Sequence, residues 1–572
     1  MENARIAEIF SEIADLLELQ EANAFRVRSY QNAARTVQEA PRRIEDLVAE
    51  GADLTELPNI GKSTADKMCE IVEHGTCKRL EELRKEIPEG LPELLQVPQL
   101  GPRKVAQLYR ELNIQSLKDL RKAAEAGKIR DLEGMGAKTE QNILEGIQTL
   151  DTASGRILYH TASQYVESLG ALFDAMDAVE QWEVAGSFRR GKETVGDLDI
   201  LIQSGDRKKV TDTVADHDTV VEVIGKGEEK MSVRLESGLQ VDLRFFEPEA
   251  FGSALAYFTG SKAHNIAVRK RAQKNGWKLN EYGLFKDENR LAGKTEESVY
   301  HRLNLPWIPP ELREDRGEVE AAEAGTLPDL VSEEDIRGDL HCHTTWSDGR
   351  NEPEVMMEAA RDKGYEFLAV TEHSKAVSVA KGLDEKALRK HMDAMHELNR
   401  STQGFWVMAG IEVDILKSGK LDLDEEVLKE LDWVVASVHS YFKMDQDAMT
   451  DRLLAAIESG VVHCLGHPTG RMLGSRDPIA FDVDRIFQAC KDHGVCLEIN
   501  AQPERLDLPD TLCKRAKDAG VMLSLATDAH HRMELDFMQY AVLVARRGWL
   551  EKKDVLNTRG VKELRKVLGA SK

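Results

Sequence analysis

Paired cysteines, long apolar runs and an excess of positive charge are all missing from this chain. Its seven cysteines include no Cys-x-x-Cys pair, which argues against a disulfide framework and for free thiols in a reducing compartment. No apolar stretch approaches the roughly 20 residues needed to span a bilayer. The opening Met1-Glu2-Asn3-Ala4-Arg5 is polar and lacks the apolar core of a signal peptide, so a cytoplasmic protein is expected. Lysine and arginine number 77 against 101 aspartates and glutamates, a formal charge of −24 with pI near 5.3. That balance excludes a surface attracting nucleic acid over its whole extent, but not a local basic face. The 572 residues are too many for one core and suggest about three to five domains.

Metal-seeking side chains are abundant. His341, His343, Asp348, His373, Glu412, His439, His467, Asp528 and His530 stand at the ends of successive apolar runs. The runs are Phe367-Leu368-Ala369-Val370, Val407-Met408-Ala409, Trp433-Val434-Val435-Ala436, Val461-Val462, Val495-Cys496-Leu497 and Val521-Met522-Leu523. Short, wholly apolar and separated by helical stretches, they read as buried parallel strands. Alternating strands and helices of this kind suggest a closed α/β barrel, whose strand ends converge on one mouth. A lone buried histidine is more often a hydrogen-bonded core residue than a ligand, but nine positions sharing one topological role reverse those odds. Imidazoles and carboxylates without thiolate favour Zn²⁺, Mn²⁺ or Fe, and nine groups exceed what one ion accepts, so two or three ions are expected. Clustered ions of this kind suit phosphoester hydrolysis.

The segment His341-Cys342-His343-Thr344-Thr345-Trp346-Ser347-Asp348-Gly349 and the later ligands resemble the polymerase-and-histidinol-phosphatase (PHP) phosphoesterases over about residues 335–570. That resemblance implies a trinuclear site in a distorted (β/α)₇ barrel. On this reading His341, His343, Glu412 and Asp528 share one ion. Glu412 bridges to a second held by His439 and His467, and Asp348, His373 and His530 take the third.

Residues 1–150 read as helical, with Ile6, Ile9, Phe10, Ile13, Leu16 and Leu17 marking a packing face. Three interruptions repeat one pattern: Leu57-Pro58-Asn59-Ile60-Gly61-Lys62, Val97-Pro98-Gln99-Leu100-Gly101-Pro102-Arg103-Lys104 and Leu132-Glu133-Gly134-Met135-Gly136-Ala137-Lys138. Glycine permits a close turn, and the amides at the start of the next helix can receive a phosphate. One copy alone is more often an ordinary glycine-capped helix connection. Three copies, each trailed by Lys or Arg, resemble helix-hairpin-helix DNA-binding motifs. Arg26, Arg28, Arg35, Arg42 and Arg43 allow a basic face, with a solvated helical surface as the alternative.

In the middle of the chain Gly186-Ser187-Phe188-Arg189-Arg190-Gly191 precedes Gly196-Asp197-Leu198-Asp199-Ile200-Leu201-Ile202. Two residues apart, Asp197 and Asp199 share one face of a strand, and Asp242 could meet them from a neighbouring one. Three close carboxylates repel unless a cation binds, and Mg²⁺ or Mn²⁺ with substrate phosphates suits nucleotidyl transfer. A bare Asp-x-Asp is more often a turn, but the preceding Gly-Ser turn strengthens it. Tyr257-Phe258-Thr259-Gly260-Ser261-Lys262-Ala263-His264-Asn265, then Arg269 and Leu279-Asn280-Glu281-Tyr282-Gly283, complete a pattern that resembles the family X DNA polymerases, such as DNA polymerase beta.

The resemblance covers about residues 1–315, and bacterial members carry a C-terminal PHP domain, matching this chain end to end. It implies a multidomain α and α/β protein. A helical lyase-like domain over 1–85 precedes fingers with helix-hairpin-helix motifs over 86–150 and a nucleotidyltransferase palm over 151–245. A nucleotide-selecting (thumb) subdomain follows over 246–315. A stretch of Pro, acidic residues, Ala and Gly reads as a linker over 316–334, ahead of the PHP barrel over 335–572.

By likeness, Asp197, Asp199 and Asp242 bind the catalytic metals, and Ser187 and Arg190, beside Gly186, contact the triphosphate. Tyr257 and Phe258 lie beside the incoming sugar, Gly260, Asn265 and Arg269 near the base and minor groove, and Arg156 matches a further triphosphate contact. Tyr257 and Phe258 could instead be core aromatics. Gln240 departs from the vertebrate relatives, which carry an arginine there. Lys67 matches the Schiff-base lysine of lyase-active members, while Ser63 replaces their supporting lysine.

The expected substrates are gapped or nicked double-stranded DNA and deoxynucleoside triphosphates. The expected role is short-gap filling in base excision repair, with a 3′–5′ exonuclease in the barrel that could also act as abasic-site endonuclease and 3′-phosphatase. The protein is expected to be a bacterial, nucleoid-associated monomer. Two rivals stay open: a histidinol-phosphate-type phosphatase fused to a nucleic-acid-binding segment, and a palm that binds gapped DNA without turnover.

Overall fold

The computed structural model describes residues 3–568, except 21, 41, 89–90, 96, 98–99, 131, 133, 137, 141 and 145–155. For residues 4, 39, 92–93, 102–103, 117–118 and 125 it describes the backbone alone. The expected boundary at 150/151 therefore lies outside the described residues, as does the side chain of Arg103. The chain divides into two compact units: 1–182 with 195–200 and 204–245, and 183–194 with 201–203 and 246–572.

The first unit begins as helices. Asn3–Leu19 and Ala24–Glu39 pack together, and the stripe Ile6, Ile9, Phe10, Ile13, Leu16 and Leu17 is buried. The three interruptions share one backbone design. The amides of Ile60, Leu100 and Met135 donate to the carbonyls of Leu57, Val97 and Leu132, and those of Thr64, Lys104 and Thr139 to Gly61, Gly101 and Gly136. Val97, Leu100 and Met135 join one buried cluster with Leu94, Val105 and Leu108, so each hairpin is anchored by its apolar residues while its glycine stays exposed.

The palm follows as a five-stranded sheet in the order Val179–Val184, Asp197–Ser204, Gln240–Phe245, Lys230–Leu235, Val220–Lys226. Asp197–Ser204 and Gln240–Phe245 are neighbours in it. The antiparallel register of the next pair sets Ser232 opposite Asp242 and Lys230 opposite Arg244.

In the second unit, helices Phe251–Thr259 and Lys262–Lys274, a three-stranded antiparallel sheet and helix Glu296–Arg302 form the thumb. The stretch 316–334 is more than a tether. Glu318–Ala324 is a helix, and its Val319 and Ala322 are buried in a cluster with Val299, Tyr300, Leu303 and Trp549. The alanine-rich composition that reads as a linker equally suits a helix, because alanine has the highest helix propensity.

Seven parallel strands in sequence order then form the barrel: Gly338–Cys342, Phe367–His373, Trp406–Asp414, Trp433–Ser437, Cys464–Leu465, Cys496–Asn500 and Leu523–Ala526. The last returns to the first: the amide of His343 donates to Ala529 at 2.8 Å and that of Asp528 to His341 at 2.9 Å. All seven strands are buried along their length, which explains why alternation is absent from their sequences. The run Val461-Val462 leads into its strand rather than forming it, and the first strand, Gly338–Cys342, is interrupted by Asp339 and His341 and has no apolar run to reveal it.

Candidate active sites

At the carboxyl ends of the barrel strands the nine candidate ligands converge. His343 Nε2 lies 3.2 Å from His341 Nε2 and 3.1 Å from Asp528 Oδ1. Glu412 stands at the centre: Oε2 is 3.7 Å from His341 Nε2 and 2.7 Å from His373 Nδ1, and Oε1 is 3.0 Å from His467 Nε2 and 3.2 Å from His439 Nε2. Asp348 Oδ1 reaches Nε2 of His530 at 3.5 Å and Nε2 of His373 at 3.7 Å.

Three groups could each hold a cation: His341, His343 and Asp528; His373, Glu412 and His439; and His343, Asp348, His373 and His530. His343 and His373 thus each stand in two groups, a sharing that the sequence does not reveal.

The chemistry of the donor set fits metal ions. Among the described residues Nδ1 of His343 is buried without a hydrogen-bond partner, and Nδ1 of His373 and Oε2 of Glu412, though 2.7 Å apart, are not aligned for a hydrogen bond, an arrangement that is costly unless a cation satisfies them. Burial alone would raise the carboxyl of Glu412, but the imidazoles of His439, His373 and His341 outweigh it and hold it well below the ordinary value. His467 and Asp528 adopt positive φ, +28° and +52°, sparsely populated for residues other than glycine and a recurrent feature of functional sites. Gly349 is required behind Asp348, since a Cβ there would fall 2.4 Å from the backbone of His343.

A layer that sequence reasoning missed fixes these rings. Glu498 lies 3.2 Å from Nδ1 of His341 and accepts from the amide of His467 at 3.0 Å and from Asn500 Nδ2 at 2.8 Å. Asp414 lies 3.1 Å from Nδ1 of His439. Glu372 accepts from the amide and hydroxyl of Thr344 and from the hydroxyl of Ser347. Carboxylates on the second ring nitrogen orient an imidazole and set its tautomer.

The palm carries a different cluster. Asp197 is exposed, Asp199 half-buried and Asp242 buried. Arg244 donates to Asp199 Oδ1 at 3.1 Å and to Asp242 Oδ2 at 3.0 Å. Asp242 also receives Ser232 at 2.7 Å, Gln240 at 3.0 Å and the Lys230 ammonium at 2.7 Å. Burial raises the Asp199 carboxyl, with Arg244 opposing and the charges of Asp197 and Asp242 adding to the rise. For Asp242 burial is outweighed by Lys230, Ser232 and Gln240, and the carboxyl is lowered. Arg244, Lys230, Ser232 and Gln240 together supply the polar contacts to the third aspartate. Arg156 lies against Gly196, its guanidinium 3.0 Å from where a Cβ would stand.

The nucleotide-contact candidates other than Arg156 lie in the second unit. Ser187, in the short helix Gly186–Arg189, has a buried hydroxyl that finds no hydrogen-bond partner among the described residues. Arg190 donates to the Thr259 carbonyl at 2.5 Å and to Glu314 at 3.0 Å, and Gly260 packs against its guanidinium. Tyr257 stacks edge-on to Phe258 at 5.1 Å, carries Arg269 at 6.0 Å over its ring, and accepts through its carbonyl from Asn265 at 2.7 Å. Tyr257, Asn265 and Arg269 line one pocket with Asn280 and Tyr300.

In the first unit Lys67 is half-buried, its ammonium donating to the Ser63 carbonyl at 2.9 Å and hydroxyl at 2.8 Å. In the hairpins, Gly61 and Gly101 have φ of −84° and −78°, which any residue adopts. Among the described residues, chain neighbours aside, no atom lies within 4 Å of a Cβ built at Gly61, Gly101, Gly134 or Gly136. For Gly61 and Gly101 neither conformation nor internal packing demands glycine, so the open space is what glycine provides. Lys62 and Lys138 are exposed beside it, with Lys104 half-buried.

Family models match in the same order along the chain: a helix-hairpin-helix domain over 1–77, a SAM-like helix-hairpin-helix tandem over 91–149, the DNA polymerase beta palm over 156–244, the DNA polymerase beta thumb over 254–314 and the PHP domain over 339–502. The chain is 36% identical over 571 residues to the DNA polymerase/3′-5′ exonuclease PolX of Bacillus subtilis (strain 168), covering 99% of each. The barrel region is 28% identical over 236 residues to a probable phosphatase of Thermoanaerobacter sp. (strain X514), covering 38% of this chain and 89% of that one. Over 167 residues it is 32% identical to a probable phosphatase of Photobacterium profundum, covering 28% of this chain and 63% of that one. Both halves are accounted for by a single relative over its full length, and the chain belongs to the family X DNA polymerases that carry a C-terminal PHP domain.

Proposed function

We propose that this protein fills short gaps in DNA with its palm and removes nucleotides from 3′ ends with its barrel, within base excision repair. The observation that carries the reading is the presence on one chain of two donor sets suited to divalent cations, one all carboxylate and one rich in imidazole. Divalent ions, when bound, activate the attacking hydroxyl or water and neutralise charge on the phosphoryl group under attack. Asp197, Asp199 and Asp242 would hold Mg²⁺ or Mn²⁺ in the palm. His341, His343, Asp348, His373, Glu412, His439, His467, Asp528 and His530 would hold two or three Mn²⁺, Zn²⁺ or Fe ions in the barrel.

Ser187 offers its free hydroxyl, and Arg190 its planar guanidinium, to the triphosphate of a deoxynucleotide. Tyr257 and Phe258 close the space beside the sugar, where a 2′-hydroxyl would meet the Tyr257 ring, with Gly260, Asn265 and Arg269 around the base and minor groove and Arg156 as a further phosphate contact. The hairpin glycines admit the DNA backbone to the amides behind them, with Lys62, Arg103, Lys104 and Lys138 on its phosphates. Such contacts position the strand without reading bases and weaken as salt rises. The protein works as a monomer on gapped or nicked duplexes at the nucleoid, in a cytoplasm that keeps its cysteines free.

Replacing Asp197 and Asp199 together by alanine should reduce primer extension on a gapped duplex by roughly a thousandfold or more and leave Mn²⁺-dependent end resection in place. Replacing His341 and His343 should do the reverse. Undiminished extension in the first variant would rule out the palm assignment. The probable-phosphatase relatives of the barrel favour 3′-phosphate removal as an added activity, and comparing 3′-phosphorylated with 3′-hydroxyl ends tests it. Lys67 would serve a lyase step, and borohydride trapping on an abasic site tests that.

A further inference from the structure

We propose that Arg547, on a barrel helix, is a positioning residue for nucleotide binding by the polymerase, holding the turn that presents Ser187 and Arg190. The inference rests on the assignment of those two residues to the triphosphate. Arg547 ends the helix Met538–Arg547 and is 2% exposed. One arm of its guanidinium donates to the backbone carbonyl of Arg190 and to Glu314 Oε1 at 3.2 Å, and the other to Asp510 Oδ2 at 2.7 Å. The same Oε1 receives Arg190 Nε at 3.0 Å. Arg190 is therefore fixed at both ends, its carbonyl directly by Arg547 and its guanidinium through the shared carboxylate.

One turn back on the same helix, Leu543 fills the place beside Gly191 where a Cβ would lie, 2.5 Å from its Cδ1. Gly191 has φ of +66°, a conformation that glycine alone adopts readily. A second grip holds the far side of the turn: Arg471, which donates to the Arg505 carbonyl at 2.9 Å, reaches Glu193 at 2.5 Å. A fork with two arms on separate acceptors fixes geometry in a way that an ammonium on one point does not. The barrel thus supplies part of the support for a phosphate-binding turn, and a preorganised turn spends less binding energy on ordering itself when the nucleotide arrives.

The test uses the full chain and steady-state incorporation into a one-nucleotide gap at varied deoxynucleotide concentration. Arg547→Ala should raise the nucleotide KM roughly tenfold with kcat within about threefold of wild type, while Mn²⁺-dependent resection of a 3′-recessed duplex stays unchanged. Arg547→Lys should recover only part of the loss, and Leu543→Ala, which leaves every charge in place, should raise KM in the same direction. An unchanged KM in Arg547→Ala and Leu543→Ala, alongside a raised KM in Arg190→Ala, would overturn the inference alone. An unchanged KM in Arg190→Ala would overturn the triphosphate assignment and the inference with it. Loss of extension and resection together in both Arg547→Ala and Leu543→Ala would make the contact a general structural support and also overturn it.

Discussion

The barrel mouth and the palm both gather anionic side chains, yet they balance that charge in different ways. In the barrel, carboxylates are interleaved with imidazoles, the strands that carry them are wholly buried, and Glu412 and His343 keep buried polar atoms without hydrogen bonds. In the palm, three aspartates stand on two neighbouring strands, Asp197 is exposed, and the charge is balanced by Arg244 and Lys230. The first arrangement suits ions that reside in the protein, because imidazoles and carboxylates from the chain itself supply enough ligands to hold a divalent ion without substrate. The second suits Mg²⁺ that arrives with nucleotide phosphates, since Mg²⁺ keeps waters and takes only a few carboxylates from the protein.

The largest effect that separates the two centres is expected at Glu412, which lies within 4 Å of five histidines. Glu412→Gln should lower resection by on the order of a thousandfold and leave gap filling within about twofold; comparable loss of both activities would break the distinction.

Glu296, a buried carboxylate balanced by the protein's own arginines, is the reference for charge burial without metal. It binds Arg313 at 2.6 Å and Arg189 at 2.9 Å. Burial opposes its ionisation, but Arg313 and Arg189 outweigh that and bring its pKa down from 4.5 to about 2. A lowered folded-state pKa gives stability that is present above the unfolded value and lost as pH falls toward the folded one. Glu296→Gln should therefore cost on the order of 3 kcal/mol at pH 7, and the gap in thermal stability should close as pH falls from about 5 towards 2. A pH-independent gap would show that packing, not charge, dominates there.

Lys230 tests how far the palm depends on the ammonium paired with Asp242. Lys230→Ala should lower kcat for extension roughly tenfold without altering resection. The smallest effect concerns the hairpins. Gly61→Ala with Gly101→Ala should weaken binding to gapped DNA several-fold through lost phosphate contacts, at a stability cost of about 1 kcal/mol or less per cap. Unchanged affinity would mean that the open space above those glycines is not where the backbone lies.

His341 and His343 come from a strand without an apolar run, but much of the barrel's candidate chemistry was legible in the sequence because His373, Glu412, His439, His467 and Asp528 end or follow apolar strands that announce them. Its grouping was not, because His343 and His373 face two positions at once, and chain order says nothing about which ring nitrogen points where. Glu498 and Asp414 escaped notice for a related reason: each lies on a buried strand beside apolar neighbours, with no turn or glycine to mark it. Glu498 nevertheless interrupts Leu497 and Ile499, and a lone carboxylate within a buried strand is costly without a partner, a signal available in the sequence. The pair Glu412 and Asp414 likewise shares a strand face at a spacing of two.

In the palm, the Asp-x-Asp pair and the Gly-Ser turn were plain. Lys230 and Ser232 were not, because only the antiparallel register sets them beside Asp242 and Arg244. The helix Glu318–Ala324 read as a linker because its buried apolar positions, Val319 and Ala322, are too few to make a stripe.

The most direct measurement is the metal content of the purified protein after desalting into metal-free buffer. About two to three ions per chain should remain in the wild type and in the Asp197→Ala, Asp199→Ala double variant, and should fall to one or none in His341→Ala, His343→Ala. Retained metal that disappears with the palm aspartates, or a wild type that holds no metal, would contradict the division between resident and substrate-borne ions.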